Sequence, residues 1–336
     1  MDNETEFDTE FDDTVILYEF ESEINTAPIV SDYMGFPYLV NFSDIYSYIK
    51  DLGSGSYATT KLYQKNDTGE NVAIKEFDLN RDFTKENLLN EAEMLKILSF
   101  YTDGIPKYYT HFIFKNRYGN YFFAIVMEYI EGISLEEYSI LLERTNKTIP
   151  EKVFVQIAIQ LFKTLVIFHE HNFVHRDIKP ENIIWQKNRL VLLDLGLSCK
   201  SGNEENVFNK CNGRMGTPLF MAPELFADDD TFEIVFNKNM DYEIFKKSDV
   251  WSAGVTLYVI INKAIPWKNV TTISQLKSQV VNTLFKIEIN TTDNKLKDLF
   301  TKILQRSPFT RYSALEVYNF LVLIMETTYC DRCTDD

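Results

Sequence analysis

The segment His175-Arg176-Asp177-Ile178-Lys179-Pro180-Glu181-Asn182 places a carboxylate, an ammonium and an amide within six residues, and Asp194-Leu195-Gly196 begins twelve residues after Asn182. Phosphoryl transfer uses an aspartate that accepts a hydroxyl proton, a lysine that balances charge on the moving group, and oxygen ligands for a divalent metal. Asp177 and Lys179 are the candidates for the first two roles, and Asn182 with Asp194 for the metal. Their hard oxygen atoms suit Mg²⁺ held against phosphates. His175 reads as a packed residue, and His169 and His171 as structural, because no nucleophile is paired with them.

Phosphates also need a cradle and a countercharge. From Tyr46 the pattern is strand, Gly53-Ser54-Gly55-Ser56-Tyr57-Ala58-Thr59-Thr60, then strand again. Gly53 and Gly55 let backbone N–H groups close over phosphates without interference from a Cβ. Twenty-two residues after Gly53, the apolar strand Val72-Ala73-Ile74 ends in Lys75. A lysine there is costly to bury alone and requires a carboxylate. A helix predicted over 84–99, with Thr84 as N-cap, supplies it: Glu91 shares a face with Met94 and Leu95, whereas Glu93 points elsewhere.

These motifs, with Gly216-Thr217-Pro218-Leu219-Phe220-Met221-Ala222-Pro223-Glu224 further on, resemble those of the eukaryotic-type protein kinases over residues 45–326. The resemblance implies an α+β, bilobal fold. A small antiparallel β-rich N-lobe with one main helix would occupy 45–127, a hinge 128–132, and a larger, mainly helical C-lobe 133–326. It implies ATP and Mg²⁺ as cofactors and a protein substrate. The ATP shell would comprise Leu52, Gly53, Ser54, Gly55, Ser56, Tyr57, Ala58, Thr60, Ala73, Lys75, Glu128, Ile130 and Ile184, with Met127 as gatekeeper. Lys75 and Glu91 would join Asp177 and Lys179 as the catalytic set. By the same resemblance, Arg311 is the buried partner of Glu224, and Asp249 braces the catalytic loop. Lys179 and Thr217 resemble the serine/threonine rather than the tyrosine class. Ala58 and Thr60 depart from the family's Gly and Val, which bears on nucleotide affinity more than on chemistry, and Leu195 in the family's Phe position keeps an apolar plug but removes an aromatic contact. A pseudokinase scaffold is the alternative, opposed by intact Lys75, Glu91, Asp177, Asn182 and Asp194. A small-molecule kinase is opposed by the peptide-positioning stretch from Gly216 to Glu224.

With 336 residues, 45% of them hydrophobic, the chain can fill two lobes. Its net charge of −16 is concentrated: residues 1–49 hold twelve acids and no Lys or Arg, leaving −4 for the rest. That balance argues against nucleic acid or an anionic membrane as partner. Residues 1–44 read as a flexible acidic tail; its Phe7, Phe11, Ile16, Leu17, Tyr18 and Phe20 leave open docking onto the domain or a partner. No membrane span is expected, since the longest apolar run, Ala253 to Ile261, is too short. Four cysteines without an apolar leader point to a reducing, intracellular setting, cytoplasmic with a nuclear one left open. Cys330-Asp331-Arg332-Cys333, in a C-terminal tail at 327–336, reads as ordinary tail because a zinc site needs four ligands.

Three local readings complete the picture. Thr148-Ile149-Pro150-Glu151 reads as a capping box launching a long helix. The stretch 225–246, with Asp228-Asp229-Asp230, is longer than the family pattern and reads as a solvated loop, with a docking element as the alternative. By the same resemblance, Arg176 implies a segment ordered by phosphate, yet residues 202–216 contain no Ser, Thr or Tyr. Glu204 and Glu205 could supply permanent charge instead, or Arg176 could simply pack. Ser134 and Glu181 leave a preference for basic substrates undecided.

Overall fold

Residues 121–128 read Tyr-Phe-Phe-Ala-Ile-Val-Met-Glu, an unbroken apolar run rather than an alternating one, which is the pattern of a strand covered on both faces. In the computed structural model this strand is central, and Phe123, Ala124, Ile125 and Val126 are fully buried. The structure describes residues 29–33, 35–55, 58–81, 84–200, 211, 214–227 and 241–329. The strands of the N-lobe are β1 (Ile29–Tyr33), β2 (Phe36–Leu39), β3 (Tyr46–Ser54), β4 (Ala58–Lys65), β5 (Asn71–Asp78), β6 (Tyr108–Lys115) and β7 (Tyr121–Glu128). They form one sheet in the order β1-β2-β6-β7-β5-β4-β3. The short helix α1 (Phe42–Ile45) leads into β3, and α2 (Lys85–Tyr101) is the main N-lobe helix. Thr84 caps α2 by accepting the Asn87 N–H, and Leu88, Ala92, Leu95 and Leu98 are buried along it.

The N-terminal boundary differs from expectation. Residues 29–39 are not tail: β2 runs parallel to β6, with Tyr38 opposite Ile113 and Leu39 opposite Phe114, and β1 turns back on β2. Phe36 and Leu39 are buried, and the Phe36 ring lies 5.0 Å from that of Phe123 and edge-on to His111. The sheet is therefore mixed rather than purely antiparallel. Residues 1–28, which carry most of the acidic run and its aromatic residues, lie outside the described residues, as do Asp228–Asp230 and the Cys330/Cys333 pair.

The C-lobe contains α3 (Leu135–Arg144), α4 (Glu151–Glu170), α5 (Asp241–Asn262), α6 (Ile273–Val281), α7 (Asn294–Ile303) and α8 (Ala314–Thr328). Its short strands are β8 (Ile133–Ser134), β9 (Phe173–Val174), β10 (Ile183–Gln186), β11 (Arg189–Leu192) and β12 (Cys199–Lys200). Val250, Trp251, Ala253, Val255, Leu257 and Ile260 of α5 are all fully buried, so this helix is surrounded by its neighbours. Among the described residues, α4 alone is long and apolar enough to cross a membrane, but 61% of that window is buried in the lobe. Thr148 does not cap α4: the N-cap is Pro150, without a side-chain bond. A residue before proline avoids the helical region, so Ile149 cannot begin the helix. Glu151 instead accepts the Thr291 hydroxyl at 2.9 Å.

Two contacts join the lobes beside the hinge. Arg189 of β11 donates to both oxygens of Glu128 and to the Asp103 carbonyl. Gly104 follows, its carbonyl accepting the Leu192 N–H at 2.8 Å. A Cβ on Gly104 would collide with the Thr164 side chain of α4, so only glycine allows this approach.

Candidate active site

Lys75 projects from β5 between two carboxylates on different elements. Its Nζ lies 2.6 Å from Glu91 Oε1 on α2 and 2.7 Å from Asp194 Oδ1. Burial alone works against the lysine charge, but Glu91 and Asp194 outweigh it and hold the ammonium above the usual lysine range. The same ammonium brings the Asp194 carboxyl down to about 2, while burial raises that of Glu91. Asp194 is thus ionised at neutral pH, and its side chain is half-exposed.

The loop before β10 is fixed from below. Asp249 of α5 accepts the backbone N–H groups of His175 and Arg176, both at 2.9 Å, and the His169 ring lies 3.1 Å from it. His175 is fully buried, and burial lowers its pKa, which fits a packed, neutral ring. Arg176 and Asp194 both take positive φ, at 68° and 62°. Such left-handed backbone in residues other than glycine is held only where surroundings determine it.

Donors converge on Asp177. The Thr217 N–H and hydroxyl reach Oδ1 at 3.0 and 2.7 Å, Lys179 Nζ lies 2.8 Å from Oδ2, and Asn182 Nδ2 donates to Oδ2 at 3.1 Å. Lys179 also donates to the Thr217 hydroxyl at 2.9 Å. Gly216 places Thr217 there: it has φ of 123°, and a Cβ would sit 2.5 Å from the Arg176 carbonyl oxygen. Thr217 therefore belongs to the Asp177 cluster, which its place in a class-specific motif did not indicate.

Of the residues expected to form a nucleotide shell, those described lie on or beside β3, β4, β5, β7 and β10. Thr60 pairs with Lys75 and with Gly53, and Ala73 pairs with Met127 at the end of β7. Ile184 pairs with Ser134 below them, Ala73 and Ile130 are buried, and Leu52 is 38% exposed. Ser54 ends β3, and its Oγ lies 3.4 Å from that of Thr59. The Gly55 N–H donates to the Ala58 carbonyl at 2.9 Å, closing the turn. Ser56 and Tyr57 lie outside the described residues. The Glu128 side chain is held by Arg189, leaving only its backbone for the cleft.

The donor chemistry fits Mg²⁺ and a nucleotide. A Cβ on Gly53 would meet nothing within 4 Å, and on Gly55 only the Ala58 oxygen at 3.7 Å, so the chain's own packing does not demand these glycines. They keep room for something else over the loop. Asn182 turns its amide nitrogen to Asp177, so its Oδ1 is the atom that would serve a metal. Among the described residues no group of three or more His, Cys, Asp or Glu could by itself hold a metal, and Mg²⁺ typically takes one or two carboxylates plus phosphate and water.

The family model described as "Protein kinase domain" matches residues 46–321. The chain belongs to the protein kinase family. The kinase is similar to serine/threonine-protein kinase ULK3 of Xenopus laevis, 31% identical over 287 residues, covering 82% of this chain and 54% of that protein. It is similar to calcium-dependent protein kinase 4 of Plasmodium falciparum, 29% identical over 285 residues, covering 82% and 48%. It also resembles serine/threonine-protein kinase ATG1a of Arabidopsis thaliana, 28% identical over 281 residues, covering 81% and 40%. The match spans about half the length of these curated relatives.

Two features of the kinase escaped sequence reasoning. Cys199 and Cys211 are joined in a disulfide, where a reducing setting predicts free thiols. Strand β12 aligns Cys199 with Val174, and Cys211 meets it there, a pairing that a spacing of twelve residues does not signal. The Arg189 clamp on Glu128 likewise has no sequence signal, since both are ordinary surface residue types. Glu204, Glu205 and Gly213 lie outside the described residues.

Proposed function

We propose that this kinase transfers the γ-phosphoryl group of ATP to Ser or Thr hydroxyls of protein substrates. The observation that carries this reading is the convergence of Lys179, Asn182 and Thr217 on Asp177, with the ion-paired Lys75, Glu91 and Asp194 alongside. Asp177 orients the substrate hydroxyl and accepts its proton, and Lys179 balances charge as the phosphoryl group moves. Lys75, steadied by Glu91, meets the nucleotide phosphates. The backbone of Glu128 and Ile130 meets the purine edge, between Leu52 and Ala73 above and Ile184 below. Asn182 and Asp194 would hold Mg²⁺, which when bound neutralises charge on the phosphate oxygens. An intracellular, cytoplasmic setting accords with the reading, and residues 1–28 are proposed as a docking segment for a partner.

The test is Asp177→Asn, which should fold normally yet lose phosphotransfer by roughly 10² to 10⁴, the usual worth of a positioned general base. Incorporation of radioactive phosphate into casein checks this, and near-normal turnover would remove Asp177 from the role.

A further inference from the structure

Ser198 sits where three parts of the kinase meet. Its carbonyl accepts Asn90 Nδ2 of α2 at 3.3 Å, one residue from Glu91, and its hydroxyl donates to the His175 carbonyl at 3.2 Å. Just before it, the Leu197 carbonyl accepts Arg176 Nε at 2.6 Å. The next residue is Cys199, fully buried on β12 and bonded to Cys211. Cys211 is partly exposed, and five residues later Gly216 turns against Arg176 and delivers Thr217 to Asp177. One covalent bond therefore links the stretch held by Asn90 and His175 to the stretch that completes the Asp177 cluster. Residues 202–216 offer no hydroxyl for a phosphate that could make such a link.

We propose that Cys199 and Cys211 are a reversible redox modification site that orders the substrate-side segment where related enzymes use a phosphate, the disulfide form being the active one. The oxidant class is a hydroperoxide. The Cys211 thiolate, on the accessible side, attacks one peroxide oxygen and breaks the O–O bond, giving a sulfenic acid and hydroxide. The Cys199 thiol then forms the S–S bond and displaces the sulfenic hydroxyl. With hydrogen peroxide the net change is two thiols to one disulfide and one peroxide to two waters. A dithiol reverses this: one thiolate attacks Cys211 Sγ and releases Cys199, and the second resolves the mixed disulfide. A disulfide in a reducing compartment is characteristically a transient or sensing one, which matches this assignment.

The effect on activity rests on the phosphotransfer reading above, so the experiment separates the two. Full-length protein carrying Cys330→Ser and Cys333→Ser is treated with hydrogen peroxide or dithiothreitol, and alkylation with mass spectrometry reports Cys199 and Cys211. Reduction should lower kcat/KM for casein by roughly tenfold to a hundredfold, the scale of ordering that closing such a ring supplies. Cys211→Ser should stay at the reduced level under both treatments. Equal activity of verified oxidised and reduced forms overturns the proposal, as does recovery of both thiols free after peroxide. If neither form transfers phosphate, the phosphotransfer reading fails, and amide exchange decides the redox proposal. The peptide containing Thr217, whose N–H donates to Asp177, should exchange faster after reduction, and unchanged exchange overturns the proposal.

Discussion

Arg189 grips Glu128 with two parallel bonds, Nη1 to Oε1 at 2.6 Å and Nη2 to Oε2 at 3.1 Å, and so ties the last residue of β7 to the C-lobe. Burial opposes the charge on Glu128, but the guanidinium prevails and holds its carboxyl below the usual range. Replacing Arg189 by Met keeps the aliphatic stem and removes the fork. We expect stability to fall by only about 1 kcal/mol, because the pair is partly exposed, while KM for ATP rises several-fold as the hinge loosens. Steady-state kinetics at varied ATP would check this, and an unchanged KM would detach the clamp from nucleotide binding.

Phe36 gives the N-terminal strands their place. It is 3% exposed, and a Phe→Ala change at a buried site typically costs about 3–5 kcal/mol. Phe36→Ala should lower Tm by several degrees, and a chain starting at Phe42 should lose at least as much. Identical melting of both variants and the full chain would show that β1 and β2 contribute nothing to the core.

His111 carries a pH signature. Burial, with help from Lys96, lowers its pKa from 6.5 to about 4, and its Nδ1 lies 2.7 Å from the Tyr108 hydroxyl. The folded state keeps the ring neutral while the unfolded chain takes up a proton near pH 6.5. Stability from this group is therefore full above pH 6.5 and declines as the pH falls towards 4, by on the order of 1–3 kcal/mol. Denaturant melts of wild type and His111→Phe at pH 7.5 and 4.5 should show a shallower loss in the variant. Parallel losses would assign the acid sensitivity to other groups.

The Glu224–Arg311 pair is buried and doubly bonded, at 2.7 and 2.8 Å, with the guanidinium 5.1 Å from the Trp251 ring. Arg311→Met strands a buried carboxylate and should cost about 3–5 kcal/mol. Adding Glu224→Leu should recover part of that loss, and urea melts of the two variants distinguish lost pairing from lost packing.

The parts of this site that could be read in advance are those where one residue forces another. A strand lysine needs a carboxylate, and helical spacing nominates Glu91, so their meeting follows from elementary electrostatics. The long apolar run of β7 likewise announces a central strand. Phe36 and Leu39 were obscured because they follow an acid-rich stretch that reads as a solvated tail, and the parallel pairing with β6 is a tertiary event. Thr148 misled because a four-residue pattern ignores what Pro150 does to Ile149. Cys199 and Cys211 illustrate a further boundary: spacing alone carries no pairing information.

Gly104 has a mechanical consequence. The backbone just past α2 is pressed against Thr164 and bonded to Leu192, so that end of the helix serves as a fulcrum. Glu91 lies ten residues before Tyr101, a lever arm of about 15 Å at 1.5 Å per residue. A tilt of about 5° about that fulcrum would displace Glu91 by about 1.3 Å, enough to part a charge-assisted hydrogen bond of its length. The ion pair at Lys75 is thus an angular gauge of α2, sensitive to rotations too small to disturb the packing at the helix's far end.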